Sequence, residues 1–138
     1  MFSHTARLHC AADLVPLLDQ LTKDLAWSDK ARFQIELALE ELTVNTFSYG
    51  KQDAASSTPQ DIYIDLTAEQ DGADLVVTLV DNAIAFDPTQ FAEPDVTSSH
   101  EERRVGGLGM FLASKMMDSM AYHRRLDANV MVLRKRVA

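Results

Sequence analysis

From Asp29 to Tyr49 the chain reads DKARFQIELALEELTVNTFSY, its longest periodic stretch, without proline or glycine. At about 100° per residue, Ile35, Ala38, Leu39, Leu42 and Thr46 fall on one apolar stripe, which predicts a helix laid on a sheet. Ser28 stands at the N-cap, Asp29 suits the positive end of the helix dipole, and Gly50 supplies a stop. Trp27 occupies the position of a hydrophobic staple against the helix start. Beside the stripe lie Glu41 and Asn45, four residues apart and therefore stacked one turn above the other. Polar pairs on helices are mostly solvated surface, but a carboxylate over an amide can also reach one ligand.

The bounds on the rest are simple. With 138 residues and 46% hydrophobic content, the chain is expected to form a single domain, 1–138, with one core. A net charge of −8 argues against a general binder of nucleic acid or anionic membrane. The charge is uneven: residues 121–138 carry Arg124, Arg125, Arg134, Lys135 and Arg136 against Asp127, a local +4 on an acidic body. Cys10 is the single cysteine, so no internal disulfide can form. The start lacks a signal-like pattern, and the longest apolar run, Leu75 to Val80, is too short to span a bilayer. A cytoplasmic location is the expectation.

Residues 2–10 alternate loosely and predict an edge strand, and Leu14, Leu17, Leu18, Leu21 and Leu25 predict a core-facing helix over 12–26 with Pro16 in its first turn. After the long helix and a polar loop, Ile62, Ile64 and Leu66 alternate, a turn follows, and LVVTLV reads as an interior strand of an antiparallel hairpin. Residues 88–105 hold two prolines and no periodicity, then three of the five glycines, Gly106, Gly107 and Gly109, open a helix pattern with Leu108, Phe111, Leu112 and Met116. SMAYHRR and NVMVLRKRV read as two closing strands joined by a turn around 126–129.

Taken singly, the polar features are ambiguous. Glycines at a helix start permit close approach of an anion, yet a lid hinge or a tight helix contact explains them as well. Asp81 after a strand is ordinarily an Asx-turn residue, although a buried carboxylate there could accept from an adenine amine. Their combination is far more specific. Glu41-Leu-Thr-Val-Asn45 on a helix, Asp81-Asn-Ala-Ile-Ala-Phe-Asp-Pro88 after a strand, and Gly106-Gly-Leu-Gly109 at a helix start resemble the three nucleotide-binding boxes of the GHKL superfamily, the Bergerat-fold ATPases and kinases. The wording ALEELTVN, FDP, GGLGMFLASKMMD, Y-x-R-R and N-x-x-x-L is most similar to the anti-sigma-factor serine/threonine kinase branch, and the resemblance covers about residues 2–136.

That resemblance implies an α/β (α+β) two-layer sandwich, a mixed, mainly antiparallel sheet covered on one face by about three helices, with an ATP lid at about 88–105. It implies that Asn45 holds Mg²⁺ against the phosphates of ATP, that Glu41 polarises the attacking hydroxyl, and that Asp81 reads the adenine amine. Ala83, Phe86, Leu108, Gly106, Gly107 and Gly109 would surround the nucleotide, and Arg104, or its neighbour Arg103, would face phosphate from the lid. Two positions depart from the pattern: Ala83 stands where glycine is common, which would tighten the fit against adenine, and Tyr49 stands where histidine is frequent. The implied activity is phosphorylation of a serine on a STAS-type antagonist, with sequestration of a sigma factor or other effector, in a cytoplasmic partner-switching system. Homodimerisation follows by analogy alone. The alternative is a catalytically weak or inactive ATP-binding module, or a nucleotide-free interaction module, of the same fold.

Overall fold

A computed structural model describes residues 3–50, 61–90 and 108–137. The elements run β1 (Ser3–Leu8), a 3-10 turn (Ala11–Asp13), α1 (Leu14–Asp24), α2 (Asp29–Tyr49), β2 (Ile64–Asp71), β3 (Asp74–Asp81), a second 3-10 turn (Pro88–Gln90), α3 (Leu108–Met116), β4 (Ser119–Arg125) and β5 (Ala128–Arg136). The five strands form one sheet in the order β1-β2-β3-β5-β4, and all four pairings are antiparallel. β1 is the edge strand that its loose alternation predicts, and β3, the most apolar run, is central.

One face of the sheet is buried. Leu66, Leu79 and Met131 form one cross-strand row, and Ala68, Val77 and Leu133 form the next. Against these rows pack Leu14, Leu17, Leu18 and Leu21 from α1, Ile35, Ala38, Leu39 and Leu42 from α2, and Met110 and Ala113 from α3. Each fully buried leucine stabilises the fold by about 1.5–3 kcal/mol relative to exposure. The opposite face carries half-buried threonines and valines, with Arg7 in a bidentate pair with Asp65 at 2.7 and 2.9 Å. Arg134 bridges Asp71 and Asp74 at 3.1 and 3.0 Å.

The ends of α2 fall where the sequence puts them, with one change of cause. Ser28 Oγ accepts from Ala31 N–H at 3.1 Å, capping the first turn. Gly50 ends the helix with φ −83°, so left-handed backbone is not what requires glycine there. Space is: a Cβ on Gly50 would meet the Thr46 carbonyl oxygen and lie 2.6 Å from Ala83 Cβ. Trp27 packs against the core, while the staple position three residues into α2 is Arg32, which pairs with Glu36 at 2.9 Å. The first turn of the helix expected over 12–26 is a 3-10 turn, with α-helix beginning at Leu14.

Both hairpin turns have two residues and one left-handed position: Gly72 at φ 60° and Leu126 at φ 55°. Leu126 is 91% exposed, so its side chain contributes little packing to offset the backbone strain. Leu126→Gly is therefore expected to raise stability by about 0.5–1 kcal/mol, and Gly72→Ala to lower it by about 1–2 kcal/mol. Urea denaturation of the two variants checks both signs, and a destabilising Leu126→Gly would contradict the strain.

Candidate functional site

A pocket opens between α2 and the end of the sheet near the β3 exit, lined by Leu42, Asn45, Thr46 and Tyr49 of α2 together with Gly50. Its sheet wall is Ile64, Leu79, Asp81, Tyr122, Asn129 and Met131, and the loop after β3 closes it with Ala83, Ile84, Phe86 and Pro88. Strand register explains the composition. The row Ile64–Asp81–Asn129–Arg124 runs across four strands, with the apolar row Leu66–Leu79–Met131–Tyr122 beside it. An apolar slot with one carboxylate on its wall suits a flat heterocycle that carries a hydrogen-bond donor.

Asp81 forms the Asx turn of its simpler reading through one oxygen. Its Oδ1 accepts from Ala83 N–H at 2.9 Å, an Asx turn, and from Asn129 Nδ2 at 2.9 Å. No described residue donates to Oδ2, which leaves that oxygen for a ligand. Burial pushes the carboxyl above the usual carboxylate range, and the two donors on Oδ1 and the charge of Arg124 oppose that shift. Asn82 ties the loop after β3 to the segment before β2, accepting from Tyr63 N–H at 2.9 Å and donating to the Asp61 carbonyl at 2.7 Å.

Asn45 and Asp81 thus share one pocket with Ala83 and Phe86. Ala83 is 5% exposed with its methyl against Gly50, so the extra carbon is accommodated by the missing side chain at Gly50. Ile84 N–H donates to the Gly50 carbonyl at 3.0 Å and locks this corner. Glu41 lies one turn before Asn45 and outside the pocket wall, with its carboxylate where a Cβ on Gly109 would be. Gly109 is therefore a tight contact between α2 and α3, and any larger residue there would displace Glu41. Leu108 opens α3. Arg103, Arg104, Gly106, Gly107 and most of the expected lid at 88–105 lie outside the described residues; just before that range, Asp87 Oδ1 caps the turn at Pro88 by accepting from Thr89 N–H at 2.8 Å.

Asn129 and Tyr122 belong to the site although neither is singled out for a role by the sequence pattern. Tyr122 Oη donates to Asn129 Oδ1 at 2.6 Å, and Arg124 donates to the Ala83 carbonyl at 3.0 Å, so the last hairpin holds the loop after β3. The fragments Y-x-R-R and N-x-x-x-L carry these residues, but only cross-strand register tells which of them face the pocket.

Comparison with known proteins agrees with this architecture. The serine/threonine-protein kinase BtrW of Bordetella bronchiseptica is 28% identical over 123 residues, covering 89% of this chain and 83% of that protein. The catalytic domain of histidine kinase ThkA shares the fold with a TM-score of 0.55 at 14% identity, covering 97% of this chain and 96% of that one. Histidine kinase AdeS of Acinetobacter baumannii gives 0.51 at 13% identity, covering 99% and 69% respectively. At these identities the structural likeness is one of fold. Among the described residues no helix is long and apolar enough to cross a membrane. The model of the histidine kinase-like ATPase domain matches residues 5–135, and the chain belongs to that family.

Proposed function

We propose that this protein is a cytoplasmic ATP-dependent serine/threonine protein kinase that phosphorylates a serine on a STAS-type antagonist and sequesters a sigma factor or other effector. The observation that carries the reading is the Asp81-walled apolar pocket with Asn45 on its rim and Glu41 one helical turn away. The family implies ATP as the nucleotide, and the named activity of BtrW supports protein-serine/threonine transfer.

In this reading Leu42, Ile64, Leu79 and Met131 sandwich the adenine, and Asp81 Oδ2 accepts from its exocyclic amine. Among the described residues no three His, Cys, Asp or Glu side chains gather as a metal cluster. An ion held by the Asn45 amide oxygen would therefore complete its shell with phosphate and water oxygens, a set that suits Mg²⁺. The ion would neutralise charge between the phosphates. Glu41 takes the proton from the substrate serine as its Oγ forms a bond to the γ-phosphorus; the bond from that phosphorus to the β,γ-bridging oxygen breaks, and ADP leaves. Gly109 lets α3 start against Glu41, which ties the orientation of the base to the position of α3. Phosphorylation adds about two negative charges to the antagonist, enough to break its complex and free this protein for the effector.

A second reading, an ATP-binding module without transfer, draws on the position of Glu41 beside Gly109 and off the pocket wall. ATP turnover separates the two. Glu41→Ala is expected to keep Mg²⁺-dependent ATP binding and to lower turnover by about 10²–10⁴-fold, as loss of a general base does. Equal turnover in wild type and Glu41→Ala would remove the kinase reading. Asn45→Ala is expected to weaken ATP binding in the presence of Mg²⁺ and to have little effect when the ion is chelated, measured by calorimetric titration.

Asp81→Asn carries a signature of its own. Because the folded carboxyl titrates above its unfolded value, the native state binds protons more readily, and Asp81 lowers stability once pH rises past the ordinary carboxylate range. The substitution removes that cost and the ionised acceptor together. It is expected to raise the melting temperature at pH 7, to lose this advantage as pH falls below the unfolded carboxylate range, and to lose ATP binding at every pH. A lower melting temperature at pH 7 would contradict the buried-charge account.

A further inference from the structure

Asp81 has a place in the proposed chemistry, but the residue that holds it does not. Asn129 is 6% exposed, and both ends of its amide are committed. Oδ1 accepts from Tyr122 Oη at 2.6 Å and from Phe86 N–H at 3.3 Å, while Nδ2 donates to Asp81 Oδ1 at 2.9 Å and to the Ile84 carbonyl at 2.8 Å. Turning the amide over would set its NH₂ against the Phe86 N–H and its oxygen against two acceptors, so the orientation is chemically fixed. With both Nδ2 hydrogens used, Asn129 has nothing left to offer a ligand. It acts through Asp81.

By donating to Oδ1 beside the Ala83 N–H, Asn129 leaves Oδ2 as the oxygen with no described donor. An ionised Asp81 presents an acceptor to the pocket; a neutral one can present an O–H donor. Burial favours the neutral form, and among the influences that oppose it the Asn129 hydrogen bond is the largest, ahead of the Ala83 N–H and the charge of Arg124. The two senses suit different bases. A 6-amino purine offers a donor to Oδ2, whereas a 6-oxo purine offers an acceptor and meets an ionised carboxylate with repulsion.

We propose that Asn129, oriented by Tyr122, is the positioning residue that makes this pocket select 6-amino over 6-oxo purine nucleotides, by holding Asp81 as an acceptor at Oδ2. The inference rests on the reading of Asp81 as the base-recognising carboxylate. It explains why the half-buried Tyr122 hydroxyl, the buried Asn129 amide and the half-buried Asp81 carboxylate form one chain across β4, β5 and β3. Asn82, adjacent to Asp81, spends its amide on the backbone of the segment before β2 and takes no part.

The test is equilibrium binding of ATP and ITP, which differ only in the 6-substituent and its N1 proton, to the full chain with Mg²⁺ at neutral pH. Wild type is expected to prefer ATP by about a hundredfold or more, since a site built to bond one group leaves it unpaired with the wrong ligand. Asn129→Ala removes the donor, and Asn129→Asp sets two carboxyls to share a proton; either is expected to lower the ATP-to-ITP ratio at least about tenfold. Tyr122→Phe keeps the ring and the Phe86 anchor and is expected to lower the ratio by a smaller factor. Loosened packing weakens both nucleotides alike, so a ratio that stays at the wild-type value while both affinities fall would overturn the proposal. Should circular dichroism show both Asn129 variants unfolded, Tyr122→Phe decides, and an unchanged ratio in that variant overturns it. Wild type that binds ATP and ITP equally would refute the selection while leaving the nucleotide pocket in place. Wild type that binds neither would refute the pocket itself.

Discussion

The pairing of Asp81 with Asn129 across β3 and β5 is the contact on which the pocket depends, and the hydrophobic core sets it. Leu79 faces Met131 and Val77 faces Leu133, and these rows are buried under α2 and α3. Because side chains alternate along a strand, a slip of one residue would bring Val130 to the pocket wall and send Asn129 to the open face. The slip would also send Met131 and Leu133 from the core to the open face. Core burial thus fixes the register, and register brings a second donor, the Asn129 amide, to the half-buried Asp81 carboxylate beside the Ala83 N–H.

The helical wall is controlled by two close approaches. At Gly109 the absence of a side chain makes room for the Glu41 carboxylate, and at Gly50 it makes room for the Ala83 methyl. Neither residue is needed for positive φ, in contrast to Gly72 in the β2–β3 turn. The first contact ties α3 to the acidic residue of α2; the second ties the end of α2 to the loop that closes the pocket. Both sides of the pocket are therefore referenced to one helix, the longest among the described residues.

That helix was the most legible element because its signals are local. The cap at Ser28, the stripe through Leu39 and the end at Gly50 each need only neighbouring residues, and the alternation in β1 and β2 and the apolar run of β3 are equally local. Motif spacing added Asn45 and Asp81, which meet in one pocket. Asn129 was legible only as a fragment, since its partner Asp81 lies 48 residues earlier and their meeting depends on β5 pairing with β3 as well as with β4. The same limit hid the reason for Gly50, whose constraint is the methyl of a residue in a different loop. The left-handed turn at Leu126 was hidden for the opposite reason: leucine there breaks the local rule that a sequence reader relies on.

The strand order has a consequence for how the protein is made. β4 precedes β5 in the chain, yet β5 lies between β3 and β4, so β4 gains its native neighbour only once β5 has inserted. Tyr122 and Asn129 reach the pocket wall only when β5 pairs with β3 and β4. A chain interrupted before β5 retains Glu41, Asn45 and Asp81 but has no complete wall for a base to rest on. Completion of the pocket wall is thus coupled to the insertion of β5 between its two neighbours.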